Sequence, residues 1–314
     1  MSHDHGHALT HDAHDHGHAH VHAPQNFGRA FAIGIALNLG FVVIEAVYGL
    51  MSNSIALLAD AGHNLGDVLG LAVAWLASVL ASRAPTARFT YGMRGSSILA
   101  ALFNAVFLLV VVGGLSWEAL RRLGSPEPVA GKTMMAVAAV GIVVNAVTAW
   151  LFASGRRQDL NLRGAFLHMA SDALVSIGVV AAGLAILLTG WLWLDPIVSL
   201  VINGVIVWGT WGLLRDSLGM SMAAVPAEID PAAVRRFLVS RPGVVAVHDL
   251  HIWSMSTTES ALTCHLVMPG GHPGDAFLHE LARDFARRFR IVHTTVQIEV
   301  DPHLACALAP EEVV

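Results

Sequence analysis

Six apolar runs, near residues 30–50, 55–81, 96–120, 132–153, 163–189 and 193–214, dominate this 314-residue chain. At 1.5 Å per residue in a helix, each is long enough to cross roughly 30 Å of hydrocarbon. Backbone inside hydrocarbon has to satisfy its own hydrogen bonds, so the runs are expected as membrane-spanning helices rather than loops or an open sheet. Only 13% of residues are charged and the mean hydropathy is +0.61, values that exclude an ordinary soluble enzyme. With 18 Lys plus Arg and a net charge of -5, no basic block is large enough to neutralise many phosphates, so nucleic acid is not an expected partner.

Inside two of these runs lies the same spacing of polar residues. The second run carries Asp60-Ala61-Gly62-His63-Asn64-Leu65-Gly66-Asp67, and the fifth carries His168-Met169-Ala170-Ser171-Asp172. Residues i and i+4 stand one above the other on a helix, so each His-x-x-x-Asp presents an imidazole beside a carboxylate. Two such faces brought together supply two nitrogens and two oxygens. That set closes a tetrahedron around Zn²⁺, and its two carboxylates cancel the ion's charge where water is scarce. An Asp at the bilayer centre costs about 2.5–3.5 kcal/mol, so each intramembrane acid is read as functional. The plainer alternative is a structural hydrogen-bond cluster between helices. Asp60, His63, Asn64 and Asp67 share one helical stripe. Asn38 and Glu45 share a face of the first run, where Glu45 either lines an access route, relays protons, or partners a helix-packing group. Asn104, Asn145 and Asn203 read as interhelical packing amides, Ser171 and Ser176 as small packing residues or cavity contacts, and Asp195-Pro196 as the capped start of the sixth helix.

Residues 1–26 precede the first run and read as a disordered tail. Nine of the eighteen histidines fall there, at 3, 5, 7, 11, 14, 16, 18, 20 and 22, with almost nothing apolar to bury. Metal capture or buffering is the expected role, against a merely solvated tail. This stretch has no basic start and no apolar core, so the first span is expected to act as its own insertion signal. Arg83, Arg88 and Arg94 in the second connection, with Arg156, Arg157 and Arg163 around the fourth, place those loops and both termini in the cytoplasm by the positive-inside tendency. Arg121, Arg122 and Lys132 in the third connection run against it.

After a membrane region expected over 27–220, residues 221–314 have the composition of a small soluble domain. Asp230-Pro231 opens a helix through Ser240. Strands are expected over Val244 to Met255, Ala261 to Met268 and Thr294 to Val300, with an amphipathic helix from Asp275 to Phe289. The order is α-β-β-α-β. Cys264 and Cys306, the two cysteines, both lie here, so a disulfide framework is not expected and a reducing cytoplasmic setting is the simpler reading.

The chain resembles the cation diffusion facilitators, membrane exporters of divalent transition metals. The resemblance rests on six spans, the run Ser54-Ile55-Ala56-Leu57-Leu58-Ala59-Asp60-Ala61-Gly62-His63, both His-x-x-x-Asp pairs, and Val247-His248-Asp249-Leu250-His251-Ile252-Trp253. It implies an all-α six-helix membrane domain followed by an α+β ferredoxin-like domain, assembled as a homodimer that exchanges metal for protons. It also implies a transport site at His63, Asp67, His168 and Asp172, with Glu45, Asp60 and Glu299 as accessory candidates. Some members bind a second metal in the loop between spans two and three; here that loop reads Arg88-Phe89-Thr90-Tyr91-Gly92-Met93-Arg94, and no such site is expected. A binuclear site of the soluble domain maps onto His248, His265, His279 across the dimer, and Asp301, where the usual His-x-Asp has become Glu299-Val300-Asp301. His293, His303 and Cys306 form a further candidate terminal site. His272, in a glycine-rich turn, reads as solvated, and His251 and Cys264 alternate in strand with His248 and His265, so they are expected on the opposite face.

The expected function is export of Zn²⁺ from the cytoplasm across a bacterial inner membrane by proton antiport and alternating access. Co²⁺ and Cd²⁺ fit the same donors, and the lack of intramembrane thiolates argues against Cu⁺. An intramembrane zinc hydrolase is disfavoured because His-Glu-x-x-His is absent. A membrane-anchored zinc sensor is the other alternative, though six spans with an ionisable stripe exceed what an anchor needs.

Overall fold

The computed structural model describes residues 29–153, 160–301, 306 and 308, with side chains described for 36–70, 72, 73, 76, 77, 79–150, 169–301, 306 and 308. The histidine-rich tail, the fourth connection with Arg156 and Arg157, and His303 therefore lie outside the described residues.

Six long helices form first: α1 (Arg29–Ser52), α2 (Ile55–Ala81), α3 (Ser96–Gly124), α4 (Gly131–Ala153), α5 (Leu160–Thr189) and α6 (Leu194–Ser221). Among the described residues Ser96–Gly124, Gly131–Trp150, Met169–Thr189 and Leu194–Ser221 are each long and apolar enough to cross a membrane by length and composition. Large apolar side chains also stand on the outside of the bundle, Phe103, Val110, Trp150, Leu188 and Trp208 among them, as expected where the solvent is lipid. The last helix runs seven residues beyond the apolar run. Arg215 and Asp216 end the hydrophobic stretch but not the backbone hydrogen bonding, and the hydroxyls of Ser217 and Ser221 donate back to the carbonyls of Leu213 and Ser217.

α2 lies at the centre, touching α1, α3, α5 and α6. Its glycines explain how. A Cβ at Gly66 would stand 2.6 Å from Leu108 Cδ1, and one at Gly70 2.9 Å from the Asn104 amide, so α3 approaches α2 closely only because these positions lack side chains. On α4, a Cβ at Gly141 would meet Phe41 at 2.5 Å and the Ser176 hydroxyl at 3.1 Å, which brings α1, α4 and α5 together beside α2. The shared core holds Phe41, Leu57, Leu108, Val112, Met134, Val179 and Ile202.

One end of the bundle is tied by polar contacts. Asp195 is not the cap of its own helix, for which it is expected from sequence. Trp193 occupies that position, and the fully buried Asp195 carboxylate accepts from Ser54 Oγ (2.5 Å), Ile55 N (2.8 Å) and Ala56 N (3.3 Å), capping α2 instead. The reason is that the first turn of α6 packs against the start of α2, whose amide donors have no partners of their own. Beside it, Asn53, in the left-handed region at φ 56°, accepts two bonds from the Arg122 guanidinium and donates to Glu127.

The C-terminal domain follows with α7 (Pro231–Val239), β1 (Ala246–Ser254), β2 (Ser260–Val267), α8 (Asp275–Phe289) and β3 (Ile291–Glu299). The Asp230 carboxylate caps α7 by accepting from Ala232 N. The sheet order is β1-β2-β3, with β1 antiparallel and β3 parallel to β2. A parallel neighbour needs a crossover, and α8 supplies it across the core of Val234, Leu238, Leu262, Leu266, Leu281 and Phe285. β3 begins three residues earlier than the Thr294 expected from sequence, because Ile291 is buried against that core. The β1–β2 turn meets the membrane domain: Arg94 pairs with Glu259 at 2.5 Å and Thr257 N donates to Ser97 Oγ.

Candidate metal centres

On α2 the i, i+4 spacing puts His63 beside Asp67, and the packing of α5 brings Asp172 to the same imidazole. His63 Nε2 lies 3.3 Å from Asp172 Oδ1 and 3.7 Å from Asp67 Oδ2. Donors held about 2.0–2.2 Å from a tetrahedral ion stand roughly 3.3–3.6 Å apart, so the His63–Asp172 separation matches the edge of a zinc-sized tetrahedron and the His63–Asp67 separation lies just beyond it. His168 is one helical turn before Asp172 on α5; its side chain lies outside the described residues. The Asp172 side chain is 2% exposed, while His63 and Asp67 are 21% and 31% exposed, so the cluster runs from a buried acid to half-buried donors.

Behind it lies a second layer of acid. Glu45 and Asp60 are both fully buried, Asn64 Nδ2 donates to Glu45 Oε2 at 3.0 Å, and Ser176 Oγ donates to Asp60 Oδ2 at 3.4 Å. Ser176 is thus a polar partner from α5, whereas Ser171 is exposed. Asn38 Nδ2 donates to Met169 Sδ, tying α1 to α5 next to the site. Asn203 donates to Ser116 between α6 and α3, the packing role expected for it.

The soluble domain assembles a different set of donors. His248 and His265 are register partners on β1 and β2, with ring centroids 5.0 Å apart. Glu299, the last residue of β3, reaches both: Oε2 is 2.9 Å from His248 Nε2 and Oε1 is 3.0 Å from His265 Nδ1. Cys306 Sγ lies 3.6 Å from His265 Nδ1. One donor atom from each of these four residues falls within 4.8 Å of the others. Burial would raise the Glu299 carboxyl, but hydrogen bonds from His248 and Cys306 hold it below the usual carboxylate range.

Asp301, expected in this cluster, lies outside it: β3 stops at Glu299, so the chain has left the sheet before the exposed Asp301. His279, expected to reach such a site from across the dimer, stands on an exposed face of α8. His293 does not join Cys306; its ring meets Tyr91 edge-on at 5.4 Å, toward the membrane domain. A bulge between His248 and His251, with Asp249 at φ 50°, changes the strict alternation expected for β1. Asp249 consequently bridges His251 (2.8 Å) and His265 (3.3 Å), which connects His251 to the cluster. Cys264 faces the core, where burial, with the Asp249 charge adding to it, pushes its thiol up to about 12. His272 accepts from Gly274 N within its own turn.

One described imidazole and two carboxylates meeting inside a helical membrane bundle are a donor set that suits a divalent transition cation. By comparison with known proteins the chain is a membrane transporter of metal cations, not an enzyme. Residues 31–220 match the cation efflux transmembrane domain and residues 226–301 the cation efflux protein cytoplasmic domain. The chain belongs to the cation efflux family, the cation diffusion facilitators. It is 37% identical over 304 residues to the zinc transporter ZitB of Shigella flexneri, covering 96% of this chain and 94% of that one. It is also 37% identical over 275 residues to the metal cation efflux system protein CzcD of Cupriavidus metallidurans, 87% of each chain. A cadmium, cobalt and zinc/H(+)-K(+) antiporter of Bacillus subtilis is 33% identical over 280 residues, 88% of this chain and 90% of that one.

Proposed function

We propose that this transporter exports Zn²⁺ from the cytoplasm in exchange for protons, as a homodimer, with His63, Asp67, His168 and Asp172 as the transport site. The observation that carries the reading is the convergence of Asp67 and Asp172 on one imidazole nitrogen, from two helices, at separations close to a tetrahedral edge. Two carboxylates neutralise a dication, and the neutral imidazoles complete a donor set suited to Zn²⁺, with Cd²⁺ and Co²⁺ as alternative cargo, in keeping with the names of the relatives. Metal binds only deprotonated ligands, and imidazole titrates near 6.5 in reference peptides, so loading expels protons and reprotonation favours release.

We infer from the arginines of the second and fourth connections that the C-terminal domain and both termini lie in the cytoplasm of a bacterial inner membrane. Asp195, Ser54, Asn53 and Arg122 then close the opposite end. The arginines of the third connection, which oppose the positive-inside assignment, are engaged locally: Arg121 and Arg122 both pair with Glu118 and Glu127. The donor cluster of His248, His265, Glu299 and Cys306 is proposed as a cytoplasmic metal site that senses rather than carries the ion, and the histidine-rich tail of residues 1–26 as a metal-capturing segment preceding a membrane domain over 27–220 and a regulatory domain over 221–314.

The test is zinc and pH flux measured together in proteoliposomes of the purified full chain. Zinc movement accompanied by opposite proton movement, and slowed when the proton gradient is collapsed, is the expected result. Zinc movement with no pH change would remove the antiport, and no zinc movement would favour the membrane-anchored sensor.

A further inference from the structure

His265 is met by a carboxylate on each edge of its ring. Nδ1 lies 3.0 Å from Glu299 Oε1 and 3.6 Å from Cys306 Sγ, so that nitrogen faces the donors gathered for a metal. Nε2, on the other edge, lies 3.3 Å from Asp249 Oδ2. Asp249 is not one of the four donors. Its second oxygen, Oδ1, is 2.8 Å from His251 Nε2 and is thereby held from the solvent side, the His251 side chain being 41% exposed against 12% for Asp249.

An unbroken strand would not allow this. Neighbours along a strand point to opposite faces, so Asp249 would turn away from the side that His248 and His265 share. The bulge removes the conflict. Between the pairs His248–His265 and His251–Thr263, β1 sets Asp249 and Leu250 against the single residue Cys264, and Asp249 takes the left-handed backbone at φ 50°. Asp enters that region at lower cost than most side chains. A carboxylate only accepts hydrogen bonds, so the ring hydrogen toward Asp249 is on Nε2 and the lone pair offered to an ion is on Nδ1. His248 is turned by a backbone carbonyl instead: Nε2 faces Glu299 at 2.9 Å and Nδ1 the Leu308 carbonyl at 3.4 Å. A metal-ligating imidazole whose other N–H is taken by a carboxylate is fixed in tautomer and rotation, and is a stronger donor.

We propose that Asp249 is the positioning residue of the C-terminal metal site, its carboxylate orienting His265 so that Nδ1 meets the ion. The proposal rests on the reading of His248, His265, Glu299 and Cys306 as a metal site, and adds a residue outside the ligand set on which the affinity of that site depends. His251 stands one step further out and steadies Asp249.

The test uses the chain without residues 2–22 and with Asp172→Ala, which leaves the C-terminal cluster as the zinc site. Zinc affinity is measured by competition with a chromophoric chelator. Asp249→Gly keeps the left-handed backbone, removes the carboxylate, and is expected to weaken zinc binding about 10- to 100-fold. Asp249→Asn keeps an oxygen that accepts from Nε2–H on the same backbone, and is expected to recover most of that loss. Nitrogen-15 NMR of the histidine-labelled, zinc-loaded protein gives a reading with Asp249 intact. The His265 signal, identified by its loss in His265→Asn, should show zinc on Nδ1 and hydrogen on Nε2. Unchanged affinity in Asp249→Gly, an Asp249→Asn as weak as Asp249→Gly, or zinc on Nε2 of His265 overturns the proposal; if Asp249→Gly does not fold, the tautomer decides alone. Failure of the underlying reading looks different, since the protein then binds no zinc before any change at Asp249, and the proposal falls with it.

Discussion

The two donor clusters use overlapping chemistry in opposite settings. In the membrane, a single described imidazole is pinned between carboxylates of two helices, with two more buried acids behind it. In the C-terminal domain, two imidazoles, a carboxylate and a thiol gather where a sheet edge meets the chain beyond it. The first arrangement, whose Asp172 is nearly buried, holds an ion best when the charges balance, because little solvent reaches that side to make up a deficit. It also has two helix packings through which to be remade, as transport requires. The second is bordered by water and fixed by a three-stranded sheet, which suits a site that retains its ion. The Arg94–Glu259 pair and the Thr257–Ser97 bond join the C-terminal domain to the α2–α3 connection and the start of α3.

The largest effect that separates the regions is loss of transport. Asp172→Ala leaves a binding site with one carboxylate fewer in a nearly dry position, and zinc flux in vesicles should fall to the level of protein-free liposomes while the protein still inserts and dimerises. Near-normal flux would remove the membrane cluster from the mechanism. A smaller effect is expected at the second cluster. Cys306→Ala should weaken zinc binding to the C-terminal domain by at least the roughly 10- to 100-fold that loss of an outer-shell partner costs, with the maximal transport rate retained. Equal loss of flux in both variants would show that the clusters act as one site.

The smallest effect is on stability and belongs to the C-terminal domain alone. Asp284 accepts from Arg241 and Arg287, and the Arg241 hydrogen bond, against the opposing effect of burial, holds its carboxyl below the usual range. A depressed folded value means stability that is present above the ordinary Asp value of about 3.9 and lost as pH falls through the folded one. Amide-exchange protection relative to the intrinsic rate at each pH should therefore fall on acidification in β1, β2 and β3 of the full chain, and Asp284→Asn should flatten that dependence without changing the protection of α2 or α5.

How far each cluster was legible in the sequence follows from how each is built. α2 coincides with its apolar run, and the spacing from His63 to Asp67 becomes a shared face through helix geometry alone. Tertiary packing escapes such reading. Nothing about Asp195-Pro196 signals that its carboxylate caps α2 rather than its own helix, and nothing near Glu45 names Asn64 of the next helix as its hydrogen-bond partner. In the C-terminal domain the donors come from three strands and the chain beyond them, so strand register decides. The bulge at Asp249, the parallel entry of β3 and its end at Glu299 together select Glu299 and Cys306 over Asp301. Local pattern carries none of these three facts. A Cys seven residues past a Glu at a strand end is the one weak signal available.

Zinc K-edge X-ray absorption on the full chain tests the central claim most directly, after the C-terminal cluster is dismantled by His265→Ala with Cys306→Ala and the tail of residues 2–22 is removed. The account predicts a bound zinc whose first shell holds only nitrogen and oxygen at about 2.0–2.1 Å, with no sulfur at about 2.3 Å, and whose signal disappears when Asp172→Ala is added. Zinc that keeps a sulfur neighbour in that protein, or that stays bound in the same geometry without Asp172, would contradict it.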